Sequence, residues 1–297
     1  MMANNAPNAS NICAIIVTFH PDIDFGVRLA SITKQVSTVI VVDNGSTERE
    51  TTQLYADCTN QKAQLVLNHE NLGVATALNL GIKHAIKLNF EWVILFDQDS
   101  FANIDLIQKM CAIYTKVTNN QKVAIFAASY IHPKKQAATV TEMDVDWKVV
   151  RRAITSGSLM PTAIFKEIGG FRDDYFIDYV DLEFCLRAQA QGYKIVKTSA
   201  ALMTHAVGDP VVHRLLWFKI KSTNHSADRR YYIARNHIAM LKAHKNSCTL
   251  WLVDCIKKSA KDALTVAFYE SDKQAKIKAI LQGVNHGLRN QLGKRST

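Results

Sequence analysis

Two aspartates, Asp97 and Asp99, close the segment "VILFDQDS" (93–100). An apolar run does not ordinarily end in clustered negative charge. Residues two apart on an extended segment point the same way. Like charges side by side repel, and each raises the other's pKa. A divalent cation between the carboxylates and a phosphate removes that conflict. Mg²⁺ and Mn²⁺ take oxygen ligands, and Mg²⁺ combines one or two carboxylates with substrate phosphates. A solvated loop with two surface acids is the ordinary alternative.

Four further groups have types suited to chemistry. Asp43 in "VVDNGS" is either a turn aspartate or an acceptor for a nucleobase or ribose. Asp178, Asp181 and Glu183 in "FIDYVDLEFCLR" are either helix caps or, among apolar Phe176, Ile177, Tyr179 and Val180, a general base. His205, after "ALMT", is structural unless it faces the aspartate pair, where it would ligate the same metal. Arg229, Arg230 and Arg235, interleaved with Tyr231 and Tyr232, form a solvated helix face or a bidentate phosphate grip.

The elements that must position these residues alternate. Short apolar runs at 11–19, 36–46, 63–69 and 91–99 read as buried strands. The stretch 21–35 has Ile23, Val27, Leu29 and Ile32 at loose helical spacing, Thr51–Cys58 reads as helical, and 71–89 has Val74, Leu78, Ile82 and Ile86 on one helical face. Strand–helix alternation predicts βαβ units and a mainly parallel sheet buried on both faces. Ligands sit beyond the carboxyl ends of such strands. Asp43, Asn71, Asp97 and Asp99 all fall there. Further on, 104–118 reads as a helix, 123–131 as a strand, 137–161 as strands around a loop, 174–195 as an acidic turn and helix, and 197–209 as a strand and turn. From there to the end the pattern reads as helical and basic.

The chain has 297 residues, 48% apolar and 21% charged, which suits a folded chain with a sizeable core. Residues 1–210 hold 19 Lys+Arg and 21 Asp+Glu, while 211–297 hold 17 and 5, so a net −2 precedes a net +12. A cationic region suits an anionic partner: a phosphate-rich ligand, nucleic acid or a lipid surface. An acidic crevice and the lack of an aromatic–basic reader motif argue against nucleic acid. The six cysteines form no C-x-x-C pair and read as buried thiols. There is no apolar run of about 18 residues, and the polar start "MMANNAPNASN" lacks signal-peptide features. The expected address is the cytoplasm.

Eight segments, in order, carry a resemblance: "IIVTFHPD", "VIVVDNGS", "NLGVATALNLGI", "LFDQDS", "SGSLMPTAIFKEIGGF", "FIDYVDLEFCLRAQAQGY", "MTHAVGD" and "RRYYIARN". Over residues 12 to about 240, the chain resembles an inverting family 2 glycosyltransferase of the GT-A fold. More narrowly, it is similar to bacterial rhamnosyltransferases that use dTDP-L-rhamnose. The final 55 or so residues carry no matching motif. The resemblance implies an α/β GT-A domain over 1–210, with its nucleotide-binding part near 1–100 and its acceptor part near 101–210. A basic, mainly helical region over 211–297 would follow.

It also implies roles. Thr18, Asp43, Asn71 and Gly73 would shape the nucleotide site, with Asp43 on the pyrimidine. Asp97 would approach the ribose. Asp99 and His205 would hold Mg²⁺ or Mn²⁺. Arg229, Tyr232 and Arg235 would contact the diphosphate or cover the donor. The family often has Glu-Asp where this chain has Val180–Asp181. That alignment makes Asp181 the catalytic base and leaves Asp178 without a defined role. The acceptor would be a saccharide or lipid-linked saccharide in cell-surface polysaccharide synthesis.

Residues 249–268 set Leu252, Cys255, Ile256 and Leu264 against Lys257, Lys258 and Lys261, as in a helix lying on the inner face of the plasma membrane. A helix against the domain, or a homodimer interface, is the alternative. A sugar nucleotidyltransferase is the competing enzyme. It would need a Gly-rich, basic loop where this chain has "TFHPDID".

Overall fold

The computed structural model describes residues 5–117, 122–132, 146–205, 211–215, 218–245, 256–257 and 263–295. They fall into two compact units: Met1–Asp173 with Asp181–Ala206, and Asp174–Val180 with Val207–Thr297.

In the first unit each apolar run becomes a strand. β1 (Ile12–Thr18) is buried along its whole length and lies parallel to β2 (Thr38–Asp43) on one side and β4 (Trp92–Asp97) on the other. β3 (Gln64–Leu67) extends the parallel set beyond β2. The connecting helices are α1 (Phe25–Thr33), α2 (Glu48–Asn60) and α3 (Val74–Lys87). Helix α2 starts with a reciprocal cap between Thr47 and Glu50. Helix α1 buries Phe25, Leu29 and Ile32, whereas Ile23 and Val27 are exposed. Of the four apolar positions expected at helical spacing, Leu29 and Ile32 face the core, while Ile23 precedes the helix and Val27 faces outward.

Past β4 the sheet becomes mixed. Among the described residues it has nine strands. β8 (Ser158–Pro161) runs antiparallel between β4 and β6 (Val123–Ile131), and β6 lies parallel to β9 (Lys194–His205). The far side of β9 carries both β5 (Ser100–Ala102) and β7 (Trp147–Val150). Helix α4 (Leu106–Val117), α5 (Ala163–Glu167) and α6 (Val180–Ala190) complete this part. The core gathers Ile12, Ile16, Val41, Ile94, Phe96, Met110, Phe126 and Leu202, with Trp92 edge-on to Tyr114.

In the second unit, β10 (Val211–Leu215) and β11 (Phe218–Ser222) form an antiparallel hairpin. The region past 209 is mainly helical among the described residues, as expected, but not to its full extent: in this hairpin β-branched and aromatic residues pair as strands. Helices α7 (Ala227–Ala243) and α8 (Lys273–Leu288) lie against each other. A Cβ on Gly287 would come within 2.6 Å of the Arg235 carbonyl oxygen, so the glycine permits a close backbone approach. Arg230, Lys276 and Glu270 form a buried ion cluster.

Cys13, Cys58, Cys111 and Cys185 are free thiols; burial pushes Cys13, Cys58 and Cys185 up to about 12. Cys248, Cys255 and most of the proposed 249–268 helix lie outside the described residues. No helix among the described residues is long and apolar enough to cross a membrane.

Candidate active site

The strand register brings the acids together. Thr18 is paired with Asp43, and Val17 with Asp97, so the carboxyl ends of β1, β2 and β4 meet at one edge. Asp97 ends β4, but Asp99 lies in the turn that leads to β5. Extended alternation, expected from the sequence, does not align these two side chains. The turn does, together with a third residue. Ser100 is the cross-strand partner of His205 in the β5–β9 ladder. That pairing sets the imidazole beside the acids, with Nδ1 2.9 Å from Asp99 Oδ1 and Nε2 3.5 Å from Asp97 Oδ2.

Asp97, Asp99 and His205 can each offer one ligand atom, all within 4.8 Å of one another. His205 is buried, and burial disfavours its charged form; Asp99 and then Asp97 outweigh this and hold its pKa above the ordinary value. Asp99 Oδ1 is buried yet accepts no well-aligned hydrogen bond despite the nearby imidazole. A bound cation would satisfy that oxygen. Two carboxylates and an imidazole form a donor set that fits a divalent cation.

Residues that sequence reasoning passed over support this cluster. Ser100 Oγ lies 3.1 Å from His205 Nδ1 and 2.6 Å from Ser156 Oγ. The Ser156 hydroxyl also accepts from the Asp97 amide at 3.3 Å. Tyr130 meets the imidazole edge-to-face at 5.5 Å. Gln98, between the aspartates, accepts from the Phe19 amide at 2.7 Å and donates to its carbonyl at 3.1 Å. Arg28 donates to the Gln98 carbonyl at 2.7 Å. Small polar residues in loops give no sequence signal for such roles; "SGS" is common to turns of every kind.

The nucleotide-side residues are equally interlocked. Asp43 is fully buried and accepts from Thr18 Oγ1 at 3.0 Å and from the Gly45 and Ser46 amides at 3.2 and 2.9 Å. It therefore braces the "DNGS" turn. Asn44 donates to Asn71 Oδ1 at 3.0 Å and accepts from the Leu72 amide at 3.1 Å. Asn71 in turn accepts from the Gly73 amide at 2.9 Å. Gly73 has φ 88° and N-caps α3 without a side chain, leaving the first amides of that helix without a side-chain cap.

The acidic segment separates into three roles. Glu183 is buried and holds Arg187 through two hydrogen bonds of 3.1 and 2.9 Å. Arg187 also grips the Gly170 carbonyl at 2.8 Å, so this pair is structural. Asp181 lies in the first turn of α6, beside a cavity of about 10 Å³ lined also by Ile154, Thr155 and Phe171. Burial and then the charge of Asp181 push the Tyr130 phenol up, so Tyr130 feels the acid while touching the imidazole. Asp178 belongs to the second unit and binds Arg229 through both Nε and Nη2 at 3.1 Å.

In that unit Arg235 is buried, and its Nη2 donates to the Asp174 and Tyr175 carbonyls at 3.2 and 3.0 Å. Tyr232 is buried, and its hydroxyl accepts from the Arg295 amide at 2.8 Å.

The family model for glycosyl transferase family 2 matches residues 14–160. The dTDP-rhamnosyl transferase RfbF of Shigella flexneri is 32% identical over 260 residues, covering 82% of this chain and 83% of that protein. Among solved structures, S. aureus TarS 1–349 in complex with UDP-GlcNAc superposes with a TM-score of 0.60 at 16% identity, covering 92% of this chain and 81% of that one. The mannosyltransferase PcManGT of Pyrobaculum calidifontis, in complex with GDP-Man and Mn²⁺, gives 0.54 at 15% identity, covering 98% and 89%.

The mixed α/β sheet, the Asp–Asp–His cluster at its strand ends and the family match together mark a glycosyltransferase of the GT-A fold. The chain belongs to glycosyl transferase family 2.

Proposed function

We propose that this enzyme transfers L-rhamnose from dTDP-L-rhamnose to a saccharide or lipid-linked saccharide, with inversion at the anomeric carbon. The convergence of Asp97, Asp99 and His205 within 4.8 Å carries the donor-site part of this reading. The 32% identity to a dTDP-rhamnosyl transferase supports the choice of donor.

Asp99 and His205 would hold Mg²⁺ or Mn²⁺, and Asp97 would approach the ribose. When bound, the cation supplies charge neutralisation at the leaving diphosphate. Thr18, Asp43, Asn71 and Gly73 shape the pocket for the nucleotide, Asp43 through the turn it braces. Asp181 accepts the proton of the acceptor hydroxyl. That oxygen bonds to the anomeric carbon as the bond to the diphosphate breaks, and dTDP departs.

Thermal-shift measurements with dTDP, UDP and GDP, each with Mg²⁺ and Mn²⁺, test the donor. Stabilisation by dTDP above the other two is the expected result. Selective stabilisation by UDP or GDP would overturn the rhamnosyl reading in favour of another nucleotide sugar.

The acceptor side of the reading extends to the cytoplasmic face of the membrane. Ile277, Leu281 and Leu288 are exposed on α8, among Lys273, Lys278 and Arg289. Apolar and cationic side chains together suit an anionic lipid surface. Flotation with vesicles containing anionic lipid should carry the protein upward at low salt and not at high salt.

A further inference from the structure

The loop Asp174–Val180 has an unusual backbone. Phe176, Asp178 and Tyr179 have φ of 66°, 64° and 63°. Residues with a Cβ avoid this region. Three such residues within four positions persist only where the surroundings over-determine them.

Helix α7 provides those surroundings. Asn236 is fully buried, and its Nδ2 donates to the carbonyls of Tyr175, Ile177 and Asp178 at 2.8, 2.8 and 3.0 Å. Arg235 Nε donates to Asn236 Oδ1 at 3.0 Å, which turns the amide nitrogen toward those carbonyls. Each left-handed residue also has a side-chain partner on α7. Phe176 stacks on Tyr232 at 5.0 Å, Asp178 pairs with Arg229, and Tyr179 stacks on His237 at 5.4 Å. The segment that sequence alone leaves as a phosphate grip or a solvated face is a clamp on this loop.

Asp181 follows the loop directly, three residues after Asp178, whose carbonyl is the last that Asn236 holds. We propose that Asn236 and Arg235 are positioning residues for Asp181: they hold the left-handed loop that runs directly into α6, whose first turn carries that carboxylate. This rests on Asp181 being the base. The clamp acts on transfer, not on nucleotide binding, because its hydrogen bonds go to the chain and not outward.

Asn236→Asp tests it, since the volume is kept while a donor facing three carbonyls becomes an acceptor. The assay is release of dTDP from dTDP-L-rhamnose with Mn²⁺ and water as acceptor, which needs no identified saccharide. Misplacement of a catalytic group predicts a kcat lowered about tenfold or more with dTDP affinity held within about twofold. Hydrogen exchange over 176–182 should quicken in parallel. Unchanged kcat overturns the proposal, as does a matching loss of dTDP affinity, which would mark direct contact with the donor. Asp181→Asn is measured alongside. If it stays active, the base assignment fails; if it is dead while Asn236→Asp is unimpaired, the clamp fails. Should Asn236→Asp not fold, Arg235→Lys decides by the same readouts, because it keeps the charge and loses the planar fork.

Discussion

Ser100 faces His205 across the β5–β9 ladder, with its hydroxyl 3.1 Å from the imidazole Nδ1. Partners of this kind orient a metal-binding histidine, and their removal commonly weakens metal binding by about 10–100-fold. Ser100→Ala should therefore lower Mn²⁺ affinity roughly tenfold in calorimetry. His205→Ala should abolish the extra thermal stabilisation that Mn²⁺ gives to dTDP binding.

Asp181 and Asp178 are only three positions apart, yet their surroundings differ. Asp178 is bound to Arg229, whereas Asp181 lines a cavity and acts on Tyr130. Loss of a general base costs about 10²–10⁴ in rate. Asp181→Asn should lose turnover on that scale with dTDP affinity intact. Asp178→Asn should keep more of it. The reverse pattern in steady-state assays would reassign the base.

Gly45 has φ 91°, and a Cβ there would lie 2.6 Å from the Glu70 carbonyl carbon and 2.8 Å from the Asn71 nitrogen. Gly45→Ala must push away the loop that carries Asn71 and Gly73. It should destabilise the protein by more than the ~1 kcal/mol that a conformationally compatible Gly→Ala change gains. It should also weaken dTDP binding in the thermal-shift assay.

Asn79 reaches from α3 to the loop after α5. It accepts from the Phe171 amide at 2.9 Å and donates to the Phe171 carbonyl and to Asp173, both at 2.7 Å. Asn79→Ala strands two buried backbone groups, at a cost of about 2–3 kcal/mol. Urea denaturation should show a lower midpoint with an unchanged slope.

His225 gives the second unit an acid sensitivity. Burial, with repulsion from Arg229 and then Arg230 outweighing Asp178 and Glu270, pushes it down to about 4. The folded protein keeps His225 neutral where the unfolded chain, with an ordinary value of 6.5, takes up a proton. Its stabilising effect is thus full above that ordinary value and is lost as pH falls toward about 4. Denaturation midpoints at pH 7.5 and pH 5 should differ more for the wild type than for His225→Asn.

The sequence by itself determined the layered α/β class, because apolar runs of strand length alternate with helical periods, and this needs no long-range knowledge. It also placed Asp43, Asn71 and Asp97 close to strand ends, since turn chemistry marks where strands stop, although Asp43 and Asp97 are the last residues of β2 and β4 and not beyond them. Tertiary structure decided what those side chains touch. The β5–β9 register, which pairs residues 105 positions apart, brought His205 to Asp99 and recruited Ser100 and Ser156. Local pattern carries no information about such pairing. The same limit holds for "RRYYIARN": its residue types allowed an anion grip or a solvated face, and only the folded chain turned Arg235 and Asn236 onto the carbonyls of the loop before Asp181. Backbone groups are chemically alike at every position, so which of them a buried amide will bind is fixed by the fold alone.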